Sequence, residues 1–363
     1  MINNLLEGIR VIDFTNYLPG PFATQRLAEL GAEVIKVEPL EGDPARNAGL
    51  KRNGTGIVYL ANNRQKKSIS MDLKKVSTKK RILELIETAD VLLESFRPGV
   101  MEKLGLDYES VKKHNPQIVY CSLRGYGENG KWRKFGSHDL NYMALSGMLA
   151  QLKDTNGKPI HPSITLADYF GSFAACERVL AALLAKERGG LGGYHCLSIT
   201  DVMASMMGNH LIIQEELGEE RGISLLNGEI VSYSIYETKD QRYMSLGALE
   251  PKFWKNFCEA VNRPEWVCAH FTLKRETNSI YNEIQALFLT KSFLEWIEFS
   301  QEFDCCMAPV LEVGELEQFP YFKENETIFR NTEGHVEVRM HTSSSRIESK
   351  IPKLGEHNQA FKV

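Results

Sequence analysis

Apolar and polar residues follow each other along the first 200 residues in a pattern that predicts alternating strands and helices. Short apolar runs predict strands at residues 10–14, 32–38, 68–73, 89–94, 118–123 and 194–199. Segments with apolar residues at helical spacing separate these strands, and the longest of them follows residue 168. A repeated strand–helix–strand unit implies parallel pairing with right-handed crossovers. The sequence therefore predicts an α/β fold with a doubly wound parallel sheet.

The pattern changes after a glycine-rich stretch at 189–193 and a charged stretch at 215–221. Two strands separated by Lys239-Asp240-Gln241 predict a hairpin, and helices are predicted at 252–261 and 292–299. We therefore expect a large domain at 1–215, a linker with a smaller α+β domain at 216–330, and a return to the large domain at 331–363.

Composition and charge narrow the class of protein. The 363 residues are 43% hydrophobic and 25% charged with a formal net charge of −4, so no basic face predicts nucleic-acid binding. We read neither a signal peptide nor a membrane span, which needs ~20 apolar residues. Seven cysteines without CxxC spacing favour reduced thiols and a cytoplasmic protein. No histidine pair has HxH or HxxxH spacing, so we expect no metal site.

Two residues that can exchange protons stand at the starts of predicted helices. Ser137 is a suitable N-cap for a helix whose first residue is His138, and hydroxyl residues likewise precede Asp168. The partial positive charge of a helix N-terminus favours an ionised Asp168 and a neutral His138. A carboxylate and a neutral imidazole are the groups that proton transfer at carbon requires. Helix capping alone is the simpler interpretation of the spacing.

Candidate ligand-binding residues follow several of the predicted strands or precede them. The cations within 62–67 could contact phosphates, although a solvated turn accounts for them equally well. Arg97 follows a strand and precedes Pro98-Gly99, which suits an anionic ligand. The glycine-rich loop at 125–130 would let the backbone approach a ligand closely. The first strand–helix turn lacks GxGxxG, so no dinucleotide is expected.

From Leu6 to His357 the chain resembles the type III CoA-transferase family, and within it most closely the α-methylacyl-CoA racemases. The motifs that carry the resemblance are GIRVIDFTNYLPGPFATQRLAELGAEVIKVE, NRQKKSISMDLK, ADVLLESFRPGVMEKLGL, GSHDLNYMALSGML, LAD around Asp168, SLGALEPKFW, MAPV and PKLGEH. The resemblance implies a Rossmann-like domain built from both chain ends, with a smaller α+β domain inserted. It also implies a homodimer of interlocked subunits with the active site at their junction.

The resemblance implies a catalytic role for three residues. In the transferases the acid at position 168 attacks an acyl-CoA thioester and later carries CoA. In the racemases Asp168 and His138 would flank the α-carbon as two bases, and Glu250 in GALEPKF would hydrogen-bond the histidine. We therefore expect a racemase or epimerase of 2-methyl-branched acyl-CoA. CoA transfer between carboxylic acids through Asp168 is the alternative, and a non-catalytic CoA-thioester binding protein is a third class.

The resemblance also implies a set of binding residues and departs from the racemases near Asp168. CoA is expected only as part of the substrate, with no other cofactor, metal, nucleic-acid or membrane partner. After the acid, racemases have a phenylalanine and three glycines, whereas this chain has Tyr169, Phe170, Gly171 and Ser172. The residues expected to contact the CoA moiety or line its path are Lys36, Arg64, Lys67, Phe96, Arg97, Gly125, Gly127, Asp139 and Tyr142.

Overall fold

A computed structural model describes residues 4–154, 156–339 and 350–363 and divides the chain into two units. The first unit comprises Met1–Met207 and Arg330–Val363, and the second comprises Gly208–Phe329. Residues 340–349, within the expected return segment, lie outside the described residues.

The first unit alternates strands and helices. Its strands are β1 (Arg10–Phe14), β2 (Glu33–Glu38), β3 (Lys51–Arg52), β4 (Thr55–Gly56), β5 (Lys67–Ser70), β6 (Val91–Glu94), β7 (Val119–Arg124) and β8 (Gly193–Ser198). Its helices are α1 (Pro19–Glu29), α2 (Ile57–Asn62), α3 (Val76–Glu87), α4 (Val100–Leu104), α5 (Tyr108–Val111), α6 (Asp139–Leu145), α7 (Met148–Gln151), α8 (Leu166–Glu187) and α9 (Ile199–Ser205).

Six of these strands form one parallel sheet in the order β5-β2-β1-β6-β7-β8. Successive residues of a strand face opposite sides, and both sides are covered by helices. Val11 of β1 lies in the core formed with α1 and α8, whereas Ile12 lies in the core formed with α3. The predicted α/β class with a parallel sheet is confirmed. The strand order is that of a Rossmann-type sheet, in which the order reverses between β1 and β6.

The C-terminal segment packs against the β5 edge of this sheet. The His357 amide donates to the Ser68 carbonyl at 3.0 Å, and the Ser70 amide donates to Asn358 Oδ1 at 2.9 Å. Arg81 of α3 donates through Nε to the Phe361 carbonyl at 2.6 Å. Both ends of the chain therefore contribute to the first unit.

The second unit has its own sheet and core. Its elements are α10 (Gly208–Leu217), β9 (Tyr233–Glu237), β10 (Tyr243–Gly247), α11 (Pro251–Ala260), α12 (Ser279–Phe288), α13 (Phe293–Glu302), β11 (Met307–Pro309) and α14 (Pro320–Glu324). A short pair, β12 (Ile328–Arg330) and β13 (Val336–Val338), follows. The antiparallel order β11-β10-β9 contains the predicted hairpin, and Trp254, Phe288 and Trp296 are buried in the core. Helix α12 was not predicted from the sequence.

A buried network of charges lies at the carboxyl end of β1. Lys66 Nζ contacts Asp13 Oδ2 at 3.0 Å, and Thr24 of α1 donates its hydroxyl to the same oxygen at 2.6 Å. Lys36 pairs with Asp43 at 2.9 Å, and all four charged side chains are fully buried. Burial lowers the pKa of Lys66 to about 8 against the opposing effect of Asp13. The network ties the segments that follow β1 and β2 to the segment that precedes β5.

We predict that Lys66→Met destabilises the fold by roughly 3–5 kcal/mol, because it leaves the Asp13 carboxylate buried without its partner. Urea-induced unfolding would measure this. The neighbouring Lys67 pairs with Glu33 and is 44% exposed, so the matched variant Lys67→Met should cost no more than about 1 kcal/mol. Equal losses in the two variants would contradict a special role for the buried pair.

Candidate active site

The His138 segment begins α6 one residue later than the sequence predicts. The helix starts at Asp139, and His138 rather than Ser137 is its N-cap residue. The His138 amide donates to Asn141 Oδ1 at 3.0 Å, the reach-back contact of a capping box. Ser137 instead donates its hydroxyl to the Tyr142 hydroxyl at 3.0 Å. The His138 side chain is left exposed at the start of the helix.

Gly125 is required by the packing of the chain itself. A Cβ atom at this position would lie 2.4 Å from Ser137 Oγ and 2.6 Å from the Tyr142 ring, which is buried. The Gly125 carbonyl also accepts the Thr200 hydroxyl at 2.8 Å. A Cβ atom at Gly127 would lie 3.3 Å from Asp201 Oδ2. The close approach predicted for this loop is therefore made by the protein's own side chains.

Asp168 is the third residue of α8, and its amide is held by another helix. The N-cap residue, Thr165, makes no side-chain capping hydrogen bond. Instead the Asp168 amide donates to Asp139 Oδ1 at 3.0 Å. Because Asp139 follows His138 directly, this bond brings the two predicted helix starts together. The hydroxyl cap expected for α8 is replaced by a carboxylate from α6.

The surroundings of Asp168 oppose its ionisation. Burial, and second the Asp139 carboxylate, raises the pKa of Asp168 to about 7. The expectation of an ionised Asp168 is therefore wrong, because burial and the like charge both favour the protonated form. At neutral pH the carboxyl group is divided between its protonated and ionised forms.

The residues after Asp168 pack against α1. The Tyr169 ring lies edge-on to Phe22 with centroids 5.0 Å apart, and Phe173 contacts the same ring at 5.5 Å. Ser172 donates its hydroxyl to the Pro19 carbonyl at 2.6 Å. Tyr169 and Phe173 therefore fill the space between α8 and α1.

The basic residues expected at the CoA moiety differ in what they contact. Lys36 is fully buried, where it donates to the Thr15 carbonyl at 2.7 Å besides its pair with Asp43. Arg64 lies 3.4 Å from Glu29 and donates to the Val338 carbonyl at 3.2 Å. Contact of Lys36 with an external phosphate would require the loss of its buried partners.

Arg97 lies beside the His138 segment. A Cβ atom at Gly136 would lie 2.8 Å from Arg97 Nη2, so the guanidinium occupies the space next to that glycine. Arg97 also lines a cavity of about 530 Å³ together with Arg124 and Arg133. The sequence analysis missed these two arginines, although Arg124 ends a strand and so has the position that singled out Arg97.

Phe96 and Glu250 are the two remaining predicted residues. Phe96 is half-buried and packs against the core on the α3 side of the sheet. Glu250 lies in the second unit, where it is exposed at the N-cap position of α11. Its hydrogen bond to His138 stays a prediction.

Two kinds of feature are absent from the described residues. Within residues 4–154, 156–339 and 350–363, no group of three or more His, Cys, Asp or Glu side chains could hold a metal ion. The same part of the chain contains no helix with the length and apolar character needed to cross a membrane.

Comparison with known proteins identifies the family. The sequence profile of CoA-transferase family III matches residues 6–358. The chain belongs to this family. Probable fatty acyl-CoA transferase Rv3272 of Mycobacterium tuberculosis is 32% identical over 98% of this chain and 97% of its own. Its crystal structure matches with a TM-score of 0.83 at 31% identity, covering 98% of both chains.

Relatives within family III divide between two reactions. Alpha-methylacyl-CoA racemase of Mus musculus is 30% identical over 97% of this chain and 91% of its own. Human succinyl-CoA:glutarate CoA-transferase is 35% identical over 73% of this chain and 62% of its own. The predicted resemblance is confirmed, and the similar proteins include both a racemase and CoA-transferases.

The raised pKa of Asp168 predicts a pH-dependent effect on stability in this family III protein. The ordinary pKa of an aspartate is 3.8, and the folded protein holds that of Asp168 at about 7, so the fold loses stability as pH rises between these values. Asp168→Asn removes that loss. We expect the variant to gain roughly 2–4 kcal/mol relative to the wild type between pH 4 and pH 8, measured by urea-induced unfolding.

Asp240→Asn is the control, because the stability that Asp240 contributes should change with pH in the opposite direction. The Thr238 hydroxyl and other hydrogen bonds lower the pKa of Asp240, so its contribution is present at neutral pH and is lost as pH falls. A stability difference for Asp168→Asn that stays constant across the pH range would contradict the raised pKa.

Proposed function

We propose that this protein inverts the α-carbon of a 2-methyl-branched acyl-CoA by proton transfer between His138 and Asp168. The observation that carries the proposal is the hydrogen bond from the Asp168 amide to Asp139 Oδ1, which joins the His138 segment to the first turn of α8. A general acid–base group works best with a pKa near the operating pH, and that of Asp168 is about 7.

In the proposed reaction the group on one face of the α-carbon removes its proton and the opposite group returns a proton to the other face. The intermediate is an enolate, which amides at helix N-termini would stabilise. Glu250 would orient the His138 ring and fix its tautomer. The phosphates of CoA would bind Arg97, Arg64 and Lys67. Lys36 is not part of this proposal because its ammonium already has buried partners.

CoA transfer is the second candidate, and the names of the transferase relatives favour it. In that reaction the Asp168 carboxylate attacks the thioester carbonyl and the C–S bond breaks, giving an acyl anhydride and free CoA thiolate. The thiolate then attacks the aspartyl carbonyl, releasing the acyl group as a carboxylate and leaving an aspartyl-CoA thioester for the second acid. With a pKa of about 7, Asp168 is ionised often enough at neutral pH to act as this nucleophile.

Deuterium exchange separates the two reactions. In deuterated water, with a 2-methylacyl-CoA and no acceptor acid, we expect the wild type to place deuterium at the α-carbon, followed by NMR or mass spectrometry. We expect His138→Ala to reduce the exchange rate by at least about 100-fold, because it removes one of two acid–base groups. His114→Ala is the matched control, since this histidine is exposed and its ring lies 3.4 Å from the surface residue Glu87.

A CoA-transferase would give a different set of results in the same experiment. Absence of α-deuterium, together with CoA transfer to an added carboxylate and hydroxylamine trapping of an enzyme-bound acyl group, would exclude the racemase. In that case His138→Ala should keep most of the transferase activity.

We also propose that the protein is a homodimer, as the family resemblance implies. The support in the first unit is an apolar face on α8, where Phe170 and Phe173 are each 38% exposed. These two residues, with Ala174 and Ala181, line an open cavity of about 740 Å³. Exposed aromatic side chains grouped in this way are typical of protein–protein interfaces.

Sedimentation equilibrium should give twice the 41.1 kDa mass of one chain. Phe173→Glu should shift the protein toward monomer, because it puts a charge into the apolar face. Val76→Glu, at an 85% exposed position of α3, is the matched control and should stay dimeric. A monomeric wild type, or an unchanged dimer in Phe173→Glu, would contradict the proposal.

A further inference from the structure

Asp139 is the first residue of α6, yet its carboxylate accepts a hydrogen bond from a different helix, α8. Its Oδ1 accepts the Asp168 amide across 29 positions of sequence. The first turn of an α-helix has amides without intrahelical partners, and α8 has no side-chain cap from Thr165. Asp139 therefore supplies the cap that α8 lacks, at the residue that carries the proposed catalytic carboxyl group.

The same carboxylate is a like charge beside Asp168. The titratable groups that face Asp168 in the first unit are Asp139 and Tyr142 of α6 and Tyr169 of its own helix. At this turn α1 presents the Phe22 ring and α9 presents Ile199 to Gly171. In the described part of the unit, neither carboxylate is ion-paired with a cation.

We propose that Asp139 is a positioning residue: through the Asp168 amide it fixes the first turn of α8 and holds a second carboxylate beside that of Asp168. Only the catalytic consequence of this role rests on the proposed function. The hydrogen bond and the charge act on Asp168 in either reaction. Asp139 then has no need to touch the CoA moiety, the role first expected for it.

Two variants separate the cap from the charge. Asp139→Asn keeps an Oδ1 acceptor for the Asp168 amide and removes the charge, whereas Asp139→Ala removes both. Asparagine and aspartate are comparable as helix caps, so Asp139→Asn should leave the α8 start in place. Asp139→Ala removes the cap as well, so it should free the first turn of α8.

The test uses a readout that requires no turnover. Carbon-13 NMR of the aspartate carboxyl groups would follow the titration of Asp168, whose signal is assigned by its absence in Asp168→Asn. We expect both Asp139 variants to lower the pKa of Asp168 from about 7 by roughly 0.5–1. Hydrogen exchange of the first turn of α8 should be near the wild-type rate in Asp139→Asn and at least about 10-fold faster in Asp139→Ala.

Asp240 provides the matched control, because its Oδ1 accepts the Phe293 amide at the start of α13 at 2.9 Å across 53 positions. Asp240→Ala should speed exchange at α13 and leave the Asp168 titration unchanged. If α-proton exchange is observed, the acid limb of its rate should move to lower pH in Asp139→Asn.

An unchanged Asp168 titration in both Asp139 variants would overturn the role of the charge. Unchanged exchange at α8 in Asp139→Ala would overturn the role of the cap. If the protein catalyses no α-proton exchange, the titration and the amide exchange still decide the role of Asp139. The failure of the proposed function is therefore distinguishable from failure of this inference.

Discussion

The site in the first unit depends on one hydrogen bond, from the Asp168 amide to the Asp139 carboxylate. A helix start is a place where backbone donors need partners, and here the partner comes from the start of a second helix. Helices α6 and α8 share a hydrophobic core, and this bond fixes how their first turns meet. With it, His138 and Asp168 stand at two helix starts held in contact through the backbone of one and the side chain of the other.

The rest of the first unit holds those helix starts in place. Helix α6 follows β7 through a loop whose Gly125 packs against Tyr142, and α8 packs along the face of the sheet that also carries α1. The buried pair of Lys66 and Asp13 ties α1 to the carboxyl end of β1. Functional sites of open parallel sheets lie outside the carboxyl ends of the strands, where this architecture can present loops and helix starts together.

Much of this arrangement follows from sequence, and the exceptions have physical causes. The apolar pattern predicts β1 and the parallel sheet because a strand that is buried on both faces, such as 10–14, appears in the sequence as a nearly continuous apolar run. The contact of Asp139 with the Asp168 amide joins residues 29 positions apart. Capping rules relate only residues within a few positions of each other, so they could not predict it. The same limit explains why Lys36 was predicted to bind phosphate. Its charge suggests that role, but its burial beside Asp43 depends on tertiary packing, which the local sequence does not reveal. The raised pKa of Asp168 likewise needs burial, which helix-dipole reasoning omits.

The electrostatics of Asp168 bear on which chemistry the site can perform. A nucleophilic carboxylate benefits from being ionised, so burial beside a second carboxylate reduces the share of active enzyme at neutral pH. A residue that must accept a proton in one direction and donate it in the other benefits from a pKa near the ambient pH, since both forms are then present. With burial and the Asp139 carboxylate raising its pKa to about 7, Asp168 is present in both forms at neutral pH. A transferase with the same geometry would act through the ionised fraction of Asp168 that is present at neutral pH.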